Sequence, residues 1–175
     1  EGLGYYTRVR NLQKAARQIL ERHNGTFPAD HAAILALAGI GDYTAGAVGS
    51  ICFELPTPAV DGNVLRVISR LTEDATPIDM PARKKAVQEQ LAAIYPAEAG
   101  EFTQSLMELG ATLCGPNWKP RCGECPCREI CKGAIHGTAE QYPVKLPKKE
   151  KKVEDRTVFV LSCDGKYALE KRPDQ

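Results

Sequence analysis

The chain has no long hydrophobic segment, few aromatic residues and almost no net charge. No uninterrupted apolar stretch in its 175 residues approaches the roughly 20 that cross a bilayer, and its start shows no signal-peptide pattern. Aromatic residues make up 6% of the sequence, and the formal net charge is +1. The sequence therefore predicts neither a membrane protein nor an exported one, and the overall charge indicates no particular partner.

Charge is nevertheless distributed unevenly along the chain. Residues 71–113 hold three Lys or Arg against seven Asp or Glu, whereas residues 114–152 hold nine against four. The second stretch includes most of the cysteines and the run KLPKKEKK (145–152). Such a basic surface can meet phosphate backbones. For KLPKKEKK itself, a solvated linker is an equally good interpretation.

Seven cysteines in a chain without export signals argue against a disulfide framework. Four of them fall within eighteen residues, with the spacing C-x7-C-x2-C-x5-C. They predict a site with four thiolate ligands, for which spacing alone leaves Zn²⁺ and an iron–sulfur cluster open. The four candidate ligands are Cys114, Cys122, Cys125 and Cys131.

The other three cysteines have different predicted roles. Cys127 lies inside the four-cysteine segment, where it could substitute for Cys125 or face away. Cys52 and Cys163 fall in apolar elements and are predicted to be buried packing residues.

Hydrophobic spacing predicts an all-α fold for the first 150 residues. Helices are expected over residues 7–21, 30–37, 43–53 and 63–71, from Pro81, and up to Cys114. One apolar face of the first helix is formed by Val9, Leu12, Ala16, Ile19 and Leu20. After residue 150 the pattern changes: TVFVLS (157–162), an Asp-Gly turn and a return to residue 170 predict a hairpin that opens a β-containing domain.

The segment LAGIGDYTAGA (37–47) predicts a tight turn between two helices. Gly39 and Gly41 flank a single aliphatic residue, so the backbone N–H groups of the turn can converge on one anion. The following helix adds its positive N-terminal end. A site of this kind grips a phosphate without reading a base. The alternative is a plain helix–helix turn.

Asp61 lies at the start of a predicted helix, in the segment TPAVDGNVLRV (57–67). Its side chain is expected to cap that helix by accepting hydrogen bonds from the free N–H groups of the first turn. A second interpretation is that the helix end directs a working carboxylate at a ligand. The two uses are compatible in one residue.

The segment GLGYYTRVR (2–10) combines two adjacent tyrosines with two arginines. These residues can supply an aromatic wedge and phosphate contacts to a nucleic acid. The alternative is that the tyrosines belong to the hydrophobic core, as aromatic residues at the head of an amphipathic helix usually do.

Taken together, these segments resemble a known family. EGLGYYTRVRNL, GIGDYTAGAV, PAVDGNVLRV and the cysteine loop, in this order, are similar to the helix–hairpin–helix DNA glycosylases and, within them, to the adenine-specific MutY family. The hairpin and the cysteines are shared with the endonuclease III branch. That branch typically has a lysine nucleophile at the position of Tyr43 and a VDTHV-like segment where this chain has VDGNV.

The resemblance implies a helix–hairpin–helix glycosylase core with an iron–sulfur cluster loop. Residues 1–55 would be the remainder of the six-helix subdomain, with the hairpin, and residues 56–135 the iron–sulfur cluster subdomain. Residues 136–152 would form a basic linker. Residues 153–175 would be the first hairpin of a β-containing, Nudix-like C-terminal domain. The chain is thus expected to be a piece truncated at both ends.

The resemblance also implies roles for individual residues. Asp61 would stabilise the positive charge that develops on the deoxyribose, with Tyr43 and Asn63 lining the pocket. Tyr5 would wedge into the duplex beside the oxidised guanine. The remaining DNA contacts would come from Arg8, Gly39, Gly41 and Thr44. A structural [4Fe-4S] cluster would be held by Cys114, Cys122, Cys125 and Cys131.

By this resemblance the protein hydrolyses the N-glycosidic bond of adenine mispaired with 8-oxoguanine or guanine, in base excision repair. Because no lysine stands at position 43, no Schiff base forms, and a monofunctional enzyme that leaves an abasic site is expected. The expected partner is double-stranded DNA from which adenine is flipped. A monomer in the bacterial cytoplasm, associated with the nucleoid, is expected. The alternatives are an endonuclease III-like glycosylase and a non-catalytic DNA-binding module with a structural zinc.

Three features depart from the family pattern. The family's glutamate general acid would lie on a helix before Glu1, so this chain is expected to be inactive by itself. Cys114 and Cys122 are separated by seven residues where six are expected. Asp42 replaces a proline or basic residue in the hairpin. Because helices before Glu1 would pack on both subdomains, exposed apolar surface is also expected.

Overall fold

A computed structural model describes residues 5–116, 118–147, 155, 157 and 159–168 of the chain. This part is mainly helical, which confirms the predicted fold class. Its α-helices are α1 (Tyr6–Arg22), α2 (His31–Leu35), α3 (Asp42–Phe53), α4 (Gly62–Thr72), α5 (Pro81–Ala92), α6 (Ala99–Thr112) and α7 (Lys132–Ile135). Short 3-10 helices cover Cys122–Glu124 and Ala139–Gln141. Within the described ranges, none of the helices is long and apolar enough to cross a membrane.

The helix starts follow local signals in the sequence. Asp30 caps α2 by accepting a hydrogen bond from the Ala33 N–H at 2.9 Å. Asp61 caps α4 in the same way, and Pro81 occupies the first turn of α5. The predicted helices are therefore present, with ends that differ by a few residues from those expected.

Helix α4 lies at the centre of the fold and packs against α5, α6 and α7. The core around it consists of aliphatic side chains from α4, from α5 and from the strand-like segment before α4: Val60, Val64, Leu65, Val87 and Leu91. Aromatic side chains close this core, with Tyr95 and Phe102 in edge-to-face contact at 5.0 Å between ring centroids. The core therefore holds the start of α4 in one position.

The apolar face of α1 is exposed in the described part of the chain. Ala15 is buried in this helix, but Val9, Leu12 and Leu20 are exposed. This agrees with the expectation of exposed apolar surface. Tyr5, at the start of the helix, is 74% exposed, so the alternative interpretation that it belongs to the core is wrong.

Helix α3 makes a close backbone contact with the segment that leads to α4. A Cβ atom added to Gly46 would lie 2.3 Å from the Pro58 carbonyl oxygen, and the Thr57 hydroxyl donates to the Gly46 carbonyl oxygen at 3.2 Å. Small residues on α3 allow this approach. Cys52 lies outside the contact and is exposed, so its predicted burial is wrong.

The described residues after α7 form two units. Residues 142–146 of the predicted linker lie along the segment that connects α4 to α5. There the Ile78 N–H donates to the Val144 carbonyl oxygen at 3.0 Å. A two-stranded ribbon pairs Ser162–Cys163 with Lys166–Tyr167 across the predicted Asp164-Gly165 turn. Cys163 is exposed in this ribbon, so its predicted burial is also wrong. Most of KLPKKEKK and the end of the predicted Nudix-like hairpin lie outside the described residues.

The contact at Gly46 generates a stability prediction. Gly46→Ala should lower the free energy of unfolding by about 2 kcal/mol, because overpacking against a backbone carbonyl outweighs the better helix propensity of alanine. Urea unfolding followed by circular dichroism measures the change. Gly62→Ala, at the first position of α4 with no atom within 4 Å of the added Cβ, is the matched control. Equal stabilities of the two variants would contradict the prediction.

Candidate functional site

Asp61 lines a cleft of about 360 Å³ at the N-terminus of α4, a volume in the lower part of the usual range for ligand sites. Its Oδ1 accepts a hydrogen bond from the Val64 N–H at 2.8 Å, and its Oδ2 accepts one from Asn63 Nδ2 at 2.9 Å. The first bond confirms the predicted helix cap. Because both oxygens are engaged, the carboxylate is held in one orientation at the wall of the cleft.

Asn63 connects this carboxylate to a buried arginine. Asn63 Oδ1 accepts a hydrogen bond from Arg66 Nη2 at 3.0 Å. The same Nη2 donates to the Gly110 carbonyl oxygen at 2.7 Å, and Arg66 Nε donates to the Cys114 carbonyl oxygen at 2.7 Å. The Arg66 guanidinium therefore ties the start of α4 to the end of α6 and to the first of the four cysteines.

Arg70, one turn further along α4, makes a second set of bonds to the cysteine segment. Its Nη1 lies 3.1 Å from both the carbonyl oxygen and the Sγ of Cys114, and 3.2 Å from the Gly115 carbonyl oxygen. Its Nε donates to the Tyr142 carbonyl oxygen at 2.9 Å. Both arginines are buried and both line the cleft.

Two buried like charges one helical turn apart create a strongly positive environment. Burial, followed by the charge of Arg70, lowers the pKa of Arg66 from its ordinary value, while Cys114 and Asp61 oppose the shift. A guanidinium in such a position requires hydrogen-bond acceptors and nearby negative charge. Carbonyl oxygens supply the first, and the Asp61 carboxylate contributes to the second.

The four predicted cysteine ligands line one cavity. Cys114, at the end of α6, faces the 3-10 helix that carries Cys122, together with Cys125 and the buried Cys131. Burial raises the pKa of the Cys131 thiol, and the nearby Cys122, Cys114 and Cys125 thiols raise it further. The four side chains thus share one cavity, and their role as ligands stays a prediction.

The donor set of this cavity fits a group with thiolate ligands. A bound metal reverses the unfavourable charging of clustered thiols, because coordination stabilises the thiolate. Among the described residues no group of three or more His, Cys, Asp or Glu side chains is arranged to hold a single metal ion. Cys127 is half-buried and is not one of the residues that line the cavity.

The far side of the cysteine loop is fastened to the end of α4. Glu73, the C-cap residue of that helix, accepts hydrogen bonds from the Thr138 hydroxyl and from His136 Nδ1, the latter at 2.8 Å. The Thr138 bond, and then the His136 bond, lower the pKa of the Glu73 carboxyl. A Cβ on Gly133 would lie 2.8 Å from the Arg70 carbonyl oxygen, so α7 packs directly on the α4 backbone.

The predicted hairpin joins α2 to α3, and its two glycines have different environments. Gly39 has a φ of +79°, and a Cβ there would meet Asn11 Cβ at 2.6 Å. Gly41 is the N-cap of α3, no side chain caps that helix, and a Cβ there would meet nothing within 4 Å. Gly39 is required by the turn itself. Gly41 leaves the N-terminal N–H groups of α3 open to solvent.

The other predicted DNA-contacting residues lie near this hairpin. Arg8, Gly39 and Thr44 line a groove of about 530 Å³ between α1 and the hairpin. The Arg8 guanidinium lies over the ring of Tyr5, 4.8 Å from its centroid. Tyr43 is partly exposed in the first turn of α3 and is not among the lining residues of the groove or of the Asp61 cleft.

Sequence reasoning missed Arg66 and Arg70, although both connect the predicted sites. Their spacing of four places them one turn apart on α4, between apolar residues that point inward. Their place on the inward face of α4 was the signal in the sequence that could have indicated burial. It was missed because arginine is usually exposed.

Comparison with known proteins gives relatives along most of the chain. The adenine DNA glycosylase of Arabidopsis thaliana is 36% identical over 189 residues, which cover 99% of this chain and 30% of that protein. The human adenine DNA glycosylase is 40% identical over 144 residues, which cover 80% of this chain and 26% of that protein. That of Buchnera aphidicola from Acyrthosiphon pisum is 32% identical over 175 residues, which cover 99% of this chain and 50% of that protein. No family model matches the chain.

Solved structures share the fold. A thermostable thymine-DNA glycosylase has a TM-score of 0.64 and 30% identity, over 74% of this chain and 59% of that one. Endonuclease III in a non-covalent DNA complex has a TM-score of 0.61 and 29% identity, over 76% of this chain and 60% of that one. The helical fold is thus that of the helix–hairpin–helix DNA glycosylases. Within that class the chain is similar to the adenine DNA glycosylases, and it spans half or less of the length of the three relatives above.

Proposed function

We propose that this chain carries the sugar-facing carboxylate and the DNA-gripping hairpin of an enzyme that removes adenine mispaired with 8-oxoguanine or guanine. The observation that supports this most is the position of Asp61. Its carboxylate is held by two hydrogen bonds at the wall of a cleft, in a chain related to adenine DNA glycosylases along most of its length.

The chemistry requires a negative charge beside the reacting sugar. Cleavage of the bond between adenine and deoxyribose develops positive charge on the sugar ring, as in glycoside hydrolysis. A carboxylate whose orientation is already set stabilises that charge without reorganising. Asp61 is assigned this role, and Asn63, which donates to Asp61 Oδ2, holds the carboxylate in place. Tyr43 does not line this cleft, and its role near the flipped adenine rests on the resemblance to the family alone.

The reaction is proposed to be hydrolysis that leaves an abasic site. Tyr43 stands where the endonuclease III branch has a lysine, and a phenol cannot form a Schiff base with the sugar. Water is then the nucleophile, and the strand is not cleaved. By resemblance to the family, the proton for the departing adenine is expected from a glutamate, a role that none of the residues assigned above fills.

The hairpin and α1 are proposed to bind the DNA backbone. The open N-terminus of α3 at Gly41 offers N–H groups and a positive helix end to a phosphate. Arg8 and Thr44 are proposed to contact the same strand from the adjoining groove, and Tyr5 to enter the duplex. The partner is mismatched double-stranded DNA bound by a monomer, in the bacterial cytoplasm at the nucleoid.

The four-cysteine cavity is proposed to hold a [4Fe-4S] cluster. Cys114, Cys122, Cys125 and Cys131 would be its ligands. When bound, the cluster supplies structural cross-linking and net negative charge, with no part in hydrolysis. That charge would balance Arg66 and Arg70, and Arg70 already donates to the Cys114 sulfur.

Asp61→Asn should slow adenine release at least about a hundredfold and leave duplex affinity within about twofold. Asparagine keeps the N-cap hydrogen bond, so the fold is preserved. It removes the charge and also the oxygen that accepts from Asn63 Nδ2. Release is measured as alkali-labile sites in a labelled duplex with adenine opposite 8-oxoguanine. The protein is a hybrid in which residues 5–147 replace the matching stretch of the Buchnera aphidicola relative, which supplies the segments this chain lacks.

Asp30→Asn is the matched control, because Asp30 caps α2 with the same geometry and lines no cleft described above. It should not change the rate. If Asp61→Asn still releases adenine at the unaltered rate, Asp61 serves only as the cap of α4. Strand cleavage without alkali would favour the endonuclease III-like alternative.

Gly41→Ala should weaken binding of the chain to duplex DNA about tenfold without lowering its stability. The added methyl meets no protein atom, but it stands where a phosphate would approach the α3 N–H groups. Gly39→Ala is the contrasting variant, since its positive φ and the contact with Asn11 should cost stability. Fluorescence anisotropy and thermal unfolding measure the two effects. Unchanged affinity of Gly41→Ala would remove the hairpin from the proposed interface.

The purified chain should be coloured, with broad visible absorption and about four iron atoms. Cys131→Ser should lose the iron and the colour, because Cys131 is a buried member of the cavity. Cys52→Ser, on the exposed side of α3, is the control and should keep both. A colourless protein with one zinc per chain would contradict the cluster and favour the non-catalytic alternative.

A further inference from the structure

The segment between Cys114 and Cys122 is a loop whose two ends are fastened together. The Arg121 N–H donates to the Leu113 carbonyl oxygen at 3.0 Å, and Arg121 Nη2 donates to the Thr112 carbonyl oxygen at 2.7 Å. Arg70 binds the carbonyl oxygens of Cys114 and Gly115 from inside the fold. Both ends of the loop are therefore held.

Trp118 lies in the middle of this loop and remains 47% exposed. Its indole packs on the backbone of Gly115, so closely that a Cβ on Gly115 would come within 2.1 Å of the ring. Because Gly115 has no side chain, the indole can lie against the backbone of the loop. Burial of a large aromatic side chain is favourable, yet about half of this one is left open to solvent.

The loop also forms one wall of the cleft that contains Asp61. Pro116, two residues before Trp118, lines that cleft. Lys119, the residue after Trp118, has its Nζ 3.9 Å from Oε1 of Glu140, which also lines the cleft. In sequence, Trp118 therefore lies between a residue that lines the cleft and a residue paired with one that does, and it is not itself among the lining residues.

The charges around Trp118 suit a nucleic acid. Lys119 and Arg121 follow it within three residues, and both are exposed. Basic side chains that contact phosphates, next to an aromatic ring on which a base can stack, form the usual arrangement for binding unpaired nucleotides.

We propose that Trp118 is a DNA-contacting residue, on whose exposed indole an unstacked base of the bound strand stacks at the rim of the Asp61 cleft. Lys119 contacts the phosphate beside that base. The inference rests on the proposed function and adds to it a specific platform for the strand that enters the cleft. A base extruded toward Asp61 leaves its neighbours unstacked, and an aromatic ring at the rim compensates for the stacking they lose.

The experiment uses the fact that Trp118 is the one tryptophan of the sequence. Its fluorescence therefore reports on this position alone. The 175-residue chain is titrated with a duplex that contains adenine opposite 8-oxoguanine. We expect the emission to be quenched and the ring to be shielded from acrylamide as the duplex binds. Anisotropy of a dye on the DNA gives the affinity independently of tryptophan.

Trp118→Ala should weaken duplex binding about tenfold, whereas Trp118→Phe should keep affinity within about threefold, because phenylalanine retains a stacking surface. Ile94→Ala is the matched control, an exposed apolar residue in the acidic stretch 71–113, and should not change affinity. Far-ultraviolet circular dichroism and visible absorption of each variant show whether fold and cysteine loop are intact. If the spectra of Trp118→Ala are altered, Trp118→Leu, Trp118→Phe and Trp118→Tyr are compared instead. The phenylalanine and tyrosine variants should then bind the duplex more tightly than the leucine variant.

The outcomes separate this inference from the proposed function. Normal duplex binding with unchanged tryptophan emission, unchanged acrylamide quenching and equal affinity of Trp118→Ala overturns the role of Trp118 and leaves the glycosylase proposal standing. Affinity that follows side-chain size, and not aromatic character, also overturns it. Absence of duplex binding by the unaltered chain overturns both.

Discussion

The buried pair Arg66 and Arg70 is the interaction on which the arrangement of this molecule depends. Their guanidinium groups connect three parts that are far apart in sequence: the start of α4, the end of α6, and the loop that begins at Cys114. Arg66 also reaches Asp61 through Asn63. The orientation of the carboxylate and the position of the cysteine loop are therefore linked by hydrogen bonds through one helix.

This arrangement has an electrostatic requirement. Two cations buried in a protein interior are unfavourable unless acceptors and negative charge surround them. The carbonyl oxygens at the end of α6 provide acceptors, and Asp61 and the cysteine sulfur oppose the loss of charge on Arg66. The same pair of arginines thus reaches the Cys114 sulfur directly and the Asp61 carboxylate through Asn63.

The helices and their starts could be predicted because their signals are local. Hydrophobic spacing, the caps at Asp30 and Asp61, and the proline of α5 act within one or two turns of the chain. Predictions that required knowledge of packing did less well. Cys52 and Cys163 were expected to be buried and are exposed, and the arginines of α4 were missed, because burial depends on which segments meet in space.

By itself, the sequence determined the helical class, the hairpin with its two glycines, the cap at Asp61 and the spacing of four cysteines, since each is encoded within a short window. Tertiary structure alone decided that Gly39 is constrained while Gly41 is open, and that Pro116 of the cysteine loop lines the cleft of Asp61. It also decided that the four cysteines line one cavity beneath Arg70. These features depend on contacts between residues separated by tens of positions, and such contacts form only when hydrophobic packing brings α3, α4 and α6 together.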